Sequence, residues 1–212
     1  GEYSVPRFVN FLADENEPER VNKAIRGLVG LGQRAVIPLL AALETGNVTQ
    51  RKNVVLALST TSDPRAGAPL LGLSTMDEAD IVRAAAASAA VRCGATGDAV
   101  VLLVQQGDDY HHRRANVLRD YDYSDVVWGW SGAGLSSSLV PRVMYNNERA
   151  SNAYYRALAL NPASEDALAG LARESPTLPA NLPACSYPHL TLPPTHPDSP
   201  TFVPASFTHT PT

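Results

Sequence analysis

The sequence predicts an all-α fold, an α-solenoid of stacked antiparallel helix pairs, and three observations support this. Residues 34–40 and 65–71 share an arginine, an alanine, a proline and two leucines in the same order, 31 positions apart. An arginine recurs at steps of 31, 32 and 31 residues, at Arg20, Arg51, Arg83 and Arg114. Apolar residues follow helical spacing within each period. Such a repeat is typical of units that stack and share one core.

Each period divides into two helices, called here helix A and helix B. Their apolar positions are Val36, Ile37, Leu39, Leu40 and Leu43 in one helix A, and Val21, Ala24, Ile25, Leu28 and Leu31 in one helix B. Two helices of about 12 residues with short turns account for the period. Asn47 or Thr49 is placed to cap the second helix B. Pro38 and Pro69 share one register, which predicts positions near the first turn of helix A.

A second pattern places an aspartate six residues before three of the four arginines, while the second repeat has Thr45 there. The third repeat also has the pair Val82-Arg83, where the second has Gln50 before its arginine. Over residues 4–120 this pattern resembles the HEAT repeats, in particular the short bacterial form called PBS-lyase-like HEAT repeats. We expect the charges to form a structural ladder that ties neighbouring turns together. Its members are Asp14, Arg20, Arg51, Asp77, Arg83, Asp108 and Arg114.

The pattern predicts a solenoid over residues 4–123, followed by three different segments. Residues 124–134 are aromatic and glycine-rich, and we expect a loop that packs its two tryptophans against the end of the solenoid. Residues 135–174 are predicted to be helical, with a first helix over 135–145 interrupted at Pro141. This segment resembles parts of two tetratricopeptide units. The matching residues are Ala150, Tyr154, Ala157 and Pro162 in the first unit and Leu168, Leu171 and Ala172 in the second.

Residues 175–212 differ sharply in composition from the rest of the chain. They hold 10 of the 17 prolines, many threonines, no Lys or Arg, and one acidic residue, Asp198. Such a segment buries too little apolar surface to offset its ordering entropy, so we expect it to be disordered or extended. Two interpretations remain open, a proline- and threonine-rich linker or a non-native end. Since the chain also starts without Met, we expect a fragment of a longer protein.

The overall composition excludes several classes of function. A net charge of −4 and a pI near 5.7 argue against a dedicated nucleic-acid binder. No stretch approaches the roughly 18 apolar residues that span a bilayer. Cys93 and Cys185 are too few for a disulfide framework or a zinc site. We therefore expect no membrane span, no metal and no cofactor, and the compartment stays open.

Two short segments resemble catalytic or metal sites, and neither fits one. Residues 108–112 contain metal-capable side chains, but His111 and His112 are adjacent and point about 100° apart on a helix, with no third ligand at helical spacing. Residues 129–133 resemble a serine nucleophile elbow, but the final glycine is displaced and no strand–turn–helix context is expected. We therefore predict a protein that is not an enzyme.

The sequence contains one candidate binding stripe, on helix B. Asn22, Asn53 and Asn116 share a register off the apolar face, on the side that lines the concave surface in such solenoids, with Lys23 and Arg26 beside them. Amide side chains can hydrogen-bond an extended peptide, so we predict a scaffold that binds a protein or peptide partner on this face. A merely solvated face is the alternative.

A second function comes only from the resemblance. Some PBS-lyase-like repeat proteins attach bilin chromophores to phycobiliproteins or remove them. The resemblance therefore implies, as the alternative, a bilin lyase-type protein or subunit, for which the sequence offers no catalytic residue.

Overall fold

The computed structural model describes residues 1–118, 126–132 and 134–174, and it is predominantly helical. Short 3-10 helices, Glu2–Ser4 and Gly32–Ala35, precede α1 and α3. The α-helices are α1 (Val5–Phe11), α2 (Pro18–Gly30), α3 (Val36–Ala42), α4 (Val48–Thr61), α5 (Pro64–Met76), α6 (Asp80–Arg92), α7 (Ala99–His111), α8 (Arg142–Leu160) and α9 (Glu165–Glu174). The strands β1 (Val126–Ser131) and β2 (Gly134–Leu139) lie between α7 and α8. The predicted α-solenoid is confirmed.

The helices stack in two layers that share one core. Helices α1, α3, α5 and α7 form the helix-A layer, and α2, α4 and α6 form the helix-B layer, each in contact with its neighbours in the same layer. Leu39, Val54, Leu58 and Leu70 are fully buried between the layers. Because neighbouring pairs cover one another's apolar sides, no pair needs a closed core of its own.

Polar side chains fix where the later helices begin. The side chain of Asn47 accepts a hydrogen bond from the Gln50 backbone N–H at 2.8 Å and caps α4, which confirms the first of the two predicted caps. Asp63 and Asp98 cap α5 and α7 in the same way. The turn between α6 and α7 contains Gly94 at φ +82 and Gly97 at φ +106, values that favour glycine. These caps satisfy N–H groups that a helix leaves free at its start.

One expectation about prolines is wrong, because Pro69 lies inside α5, not in its first turn. A proline there has no N–H to offer the carbonyl four residues earlier. That carbonyl belongs to Arg65, and it accepts instead a hydrogen bond from the Gln106 side-chain amide at 2.8 Å. An amide from α7 therefore occupies the acceptor that the proline leaves open in α5.

The sequence predicted a loop over 124–134 and a helix over 135–145, but Val126–Ser131 and Gly134–Leu139 form a pair of antiparallel strands instead. Val126 pairs with Leu139 at the open end, and Ser131 pairs with Gly134 at the turn. Val126, Trp128 and Leu135 point into the core cluster, and the strands pack on α1 and α3. Trp128 packs against the helix-A layer, with its ring centroid 6.0 Å from that of Tyr3. The helix expected from residue 135 begins only after Pro141. Alternating β-branched and aromatic residues favour a strand that is buried on one face.

The described residues 112–118, where the sequence predicted the start of a fourth helix B, do not form one. Residues 112–118 make turns, and Arg113 has φ +54, which ends helical geometry after α7. Arg114 and Asn116 therefore lie in a turn and do not share the register of α2 and α4. Residues 119–125 and 133 and the tail 175–212 lie outside the described residues, so the predictions for them stay predictions.

Helix α8 doubles back over the helix-A layer. It packs on α7 and α5, and the Arg156 guanidinium donates to the Leu40 carbonyl at the end of α3 at 3.0 Å. The Tyr154 ring fits between Gly107 of α7 and Gly170 of α9, neither of which leaves room for a methyl group. Ala150 and Ala157 are fully buried on the same side, so small residues allow the three helices to approach closely. The tetratricopeptide resemblance of this segment remains a prediction.

No single described helix is both long and apolar enough to cross a membrane. Only α2 together with Gly32–Ala42 reaches that length and composition, as a pair bent by 114°.

Candidate functional site

The first three repeating arginines lie at equivalent places at the start of helix B. In each of the first three repeats the guanidinium contacts the residue six positions earlier. Arg20 reaches the Asp14 carboxylate at 3.3 Å, whereas Arg51 donates to the Thr45 carbonyl at 2.6 Å. Arg83 donates to the Asp77 carbonyl at 2.5 Å and pairs with the Asp80 carboxylate. The recurring contact is therefore made to a carboxylate in one repeat and to a carbonyl oxygen in two.

One of these arginines also joins two repeats. Arg51 Nε and Nη2 donate to the two carboxylate oxygens of Asp77, 2.5 and 3.0 Å away, and Asp77 belongs to the following repeat. Burial alone would raise the pKa of Asp77. The Arg51 hydrogen bonds, the Ala79 N–H and the charges of Arg51 and Arg83 outweigh burial, so the pKa lies below its ordinary value. The pair is therefore ionised at neutral pH and clamps α4 to the turn before α6.

The fourth arginine of the predicted ladder, Arg114, binds a different aspartate from the predicted one. Arg114 pairs with Asp109 at 2.9 Å and not with Asp108. Asp108 instead accepts from the Tyr154 hydroxyl at 2.8 Å and from Arg173 at 2.6 Å. The reason is that Asp108 lies inside α7, whereas Asp14, Thr45 and Asp77 lie in the turns before helix B. Asp108 serves to hold α8 and α9 on α7.

The predicted asparagine stripe does not form one surface. Asn53 is buried, and its amide donates to the Leu12 carbonyl at 2.9 Å, while the Gln50 amide donates to the Val9 carbonyl at 2.8 Å. The Val9 carbonyl also accepts from the Leu12 backbone N–H at 3.0 Å, so the two amides of α4 add contacts at the end of α1. Asn116, in its turn, donates to the Asp109 carboxylate at 2.6 Å. Asn53 and Asn116 thus make structural contacts within the chain, and their assignment as binding residues stays a prediction.

The remaining three stripe residues do line a surface groove on α2. Asn22, Lys23 and Arg26 are exposed and, with Glu19 and Ile25, border an open groove of about 510 Å³. Within the part of the chain that the structure describes, neither Lys23 nor Arg26 has a carboxylate partner. The groove therefore presents two positive charges without an ion-pair partner among the described residues, one acidic side chain, Glu19, and one amide.

Comparison along the repeat explains why these positions are exposed only in α2. The equivalents of Lys23 are Val54 and Ala86, and those of Arg26 are Ala57 and Ala89; all four are buried. Asn53, next to Val54 in α4, donates to the Leu12 carbonyl at the end of α1. This side of helix B therefore faces the preceding repeat. In α2 the same face has no preceding described repeat to cover it.

The described residues offer no catalytic constellation and no group of three metal-capable side chains. Cys93 is buried, and burial together with the charge of Asp63 raises its pKa to about 11, so its thiol is protonated at neutral pH. Ser131 ends strand β1 and donates to the Gly134 carbonyl at 3.1 Å. His111 pairs with Glu174 at 2.5 Å, and the ring of His112 lies edge-on to it, with centroids 4.8 Å apart. These contacts hold the local structure.

The sequence did not predict the burial of two arginines, Arg65 and Arg149. Arg65 is fully buried and bound by both carboxylate oxygens of Asp63, at 2.9 and 3.0 Å. The Asp-Pro-Arg spacing at residues 63–65 could have suggested this pair, since the cap residue and the second helical residue lie side by side. Arg149 of α8 is buried against Tyr110, and nothing in its local sequence distinguishes it from an exposed helix residue.

A second, smaller cavity lies near Arg65. It has a volume of about 150 Å³ and is bordered by Gln106, Asp109 and Cys93, among others. Pockets for cofactors and drug-sized ligands usually hold about 300–1,000 Å³. This cavity is therefore too small for a chromophore.

Comparisons with known proteins agree with the stacking. Residues 5–90 match the family model of HEAT repeats. The phycocyanobilin lyase subunit beta of Pseudanabaena tenuis (strain PCC 7409) is 39% identical over 85 residues, which are 40% of this chain and 30% of that protein. The chain thus matches less than a third of that relative's length, and no solved structure matches it. The similarity to HEAT repeats thus extends over residues 5–90.

Proposed function

We propose that this chain is a non-catalytic protein-interaction module that binds its partner through the groove on α2. The observation that carries the proposal is the pair of exposed cations beside Asn22, which have no ion-pair partner among the described residues and lie at positions that are buried in α4 and α6. HEAT repeats over residues 5–90 support a scaffold role, because stacked helix pairs leave long surfaces free for contacts.

The groove chemistry indicates what kind of partner it binds. Lys23 and Arg26 lie close to one another on one face of α2, one helical turn apart, so they favour an acidic segment. The Asn22 amide adds one donor and one acceptor, which suit the backbone of an extended peptide. The partner is therefore a protein with an exposed acidic, extended stretch, and the affinity should fall as salt is raised.

Reversal of both charges tests this directly. In affinity capture from cell extract, the variant K23E/R26E is expected to retain about a tenth or less of the amount of partner that the wild type retains. The reason is that repulsion replaces attraction at two positions. Its melting temperature should stay within about 2 °C of the wild type, because exposed substitutions change stability little.

The matched control is R7E/R92E, which makes the same change in net charge at two other exposed arginines. This control should capture the same proteins as the wild type. If K23E/R26E captures the same proteins as the wild type, or if the control loses as much of them, the groove is not the binding surface.

A second candidate function rests on the relative's name. The similarity to a phycocyanobilin lyase subunit beta favours a role in bilin attachment, in which this chain would act as part of a lyase. The two functions differ in one observable. A lyase component mixed with phycocyanobilin and a phycobiliprotein apo-subunit leaves covalent bilin absorbance on the apo-subunit after denaturation, whereas an interaction module alone leaves none.

A further inference from the structure

Strand β2 is an open edge of the two-stranded sheet. Its residues Ser136, Ser137, Ser138 and Leu139 are exposed, whereas β1 packs on α3 and α8. Within the described ranges of the chain, no group outside β1 forms a hydrogen bond with the backbone of β2. An edge of this kind is a template for a further strand.

The turn decides which backbone groups of β2 point away from β1. Ser131 and Gly134 are paired although only three positions apart, so they are the hydrogen-bonded pair that closes the hairpin. Hydrogen-bonded and non-hydrogen-bonded pairs alternate along an antiparallel ladder. The N–H and C=O groups of Leu135, Ser137 and Leu139 therefore point outward.

Strand β2 has none of the features that usually block an open edge. Such edges normally carry a lysine or another charge, a proline or a bulge. The six residues of β2 are glycine, serine and leucine, and their pairing with β1 is continuous. Neither charge nor backbone shape on β2 therefore opposes the approach of another strand.

An exposed leucine lies on the core-facing side of this edge. Leu139 and Leu135 share a face of the sheet, because side chains two positions apart point the same way. Leu135 belongs to the core cluster, yet Leu139 is 82% exposed. A strand that pairs with β2 can cover this leucine with an apolar side chain of its own.

The sequence of β2 is complementary to a second copy of itself. Residues 135–139 read Leu-Ser-Ser-Ser-Leu in both directions, and a two-fold dimer requires a self-complementary surface. When two β2 strands run antiparallel about Ser137, each Leu139 lies opposite the Leu135 of the second copy. The outward-facing residues then meet one another in hydrogen-bonded pairs, which exchange about six bonds in all.

We propose that two copies of this chain associate through β2 and form a continuous four-stranded antiparallel sheet across a two-fold axis. The palindromic order of leucines and serines favours a second copy over the strand of another protein. This inference does not depend on the groove of α2, which lies on a different element.

Sedimentation velocity of the full chain from about 1 µM to about 1 mM tests the association. One strand pair is a small interface, so we expect a weak dimer. The measured mass should rise from 22.6 kDa towards twice that value as the concentration increases.

Two variants assign the dimer to the edge of β2. Ser137→Pro should raise the dissociation constant of the dimer at least about tenfold, because each copy loses its central N–H donor. The hairpin should stay folded, since this N–H does not donate to β1. Leu139→Lys should also raise the constant at least about tenfold, because a charge replaces the apolar contact. Leu168→Lys, at another exposed leucine, should dimerise like the wild type, and circular dichroism checks that all three variants are folded.

Cysteine cross-linking in a Cys185→Ser background tests the register. Residues opposed in a hydrogen-bonded pair have Cα atoms about 5.5 Å apart, within the reach of a disulfide. Ser137→Cys should therefore cross-link two copies under mild oxidation. Ser136→Cys should not, because position 136 lies opposite position 138 of the second copy.

A monomer at every concentration overturns the proposal, whether another segment or another protein covers the edge. A dimer that persists unchanged in Ser137→Pro and Leu139→Lys also overturns it, as does cross-linking of Ser136→Cys as fast as that of Ser137→Cys.

Discussion

Replacement of Asp63 by alanine is expected to lower the free energy of unfolding by about 3–5 kcal/mol. The side chains of Asp63 and Arg65 are both fully buried, and two hydrogen bonds join the carboxylate to the guanidinium. Loss of the carboxylate leaves the Arg65 charge buried without its partner, and it also removes the cap of α5. Few single changes in this chain combine both losses.

Chemical denaturation of the wild type and of Asp63→Ala provides the measurement. Asp98→Ala is the matched control, since Asp98 caps α7 through the same kind of hydrogen bonds but lies at an exposed position and binds no buried arginine. Asp98→Ala should lower the free energy of unfolding by only about 1 kcal/mol. Equal losses for the two variants would show that the buried pair adds nothing beyond the cap.

Leu40→Ala is expected to lower the free energy of unfolding by about 2–5 kcal/mol, because it leaves a cavity in the core that neighbouring repeats share. Leu40 is 3% exposed, at the end of α3, where every residue of the helix is buried. The hairpin covers α3 on one side, and α8 reaches its end through Arg156. Leu71→Ala, at a half-buried position, should cost less than Leu40→Ala.

The same deletion at Leu56 of α4 serves as the control. Leu56 is 44% exposed, so Leu56→Ala should change the free energy of unfolding by less than about 0.5 kcal/mol. Both variants are compared by urea denaturation, with the m-value as a check that the cooperative unit is unchanged. A loss at Leu56 as large as that at Leu40 would contradict the arrangement of the layers.

The stacked part of the fold was predictable because its signal is repeated. An arginine recurs near the start of helix B, and residues 34–40 share a motif with residues 65–71. The same helix-pair geometry is therefore indicated more than once. Asn47 was predictable as a cap because a cap depends only on local backbone. The hairpin was missed because its glycines and serines suggested a loop. The run of Val126 to Trp130, rich in β-formers, was the signal that pointed to a strand.

The candidate site was only partly predictable, for a physical reason. Helical spacing shows which residues share a face, but not which neighbour covers that face. Asn22 and Asn53 share a register, yet α4 lies between two helices, while α2 has a described neighbour on one side only. Arg149 illustrates the same point, since its burial depends on Tyr110, 39 positions earlier. Long-range packing decides such roles, and a single sequence does not encode it in any local pattern.

A double-mutant cycle on Arg51 and Asp77 tests the stacking of neighbouring helix pairs most directly. These residues are 26 positions apart and belong to successive repeats, so they touch only if the repeats stack as described. Their side chains are 12% and 3% exposed, which limits screening by solvent. The free energies of unfolding of Arg51→Met, Asp77→Asn and the double variant should give a coupling of about 0.5–3 kcal/mol. A coupling indistinguishable from zero, with both single variants folded, would contradict the stacked arrangement.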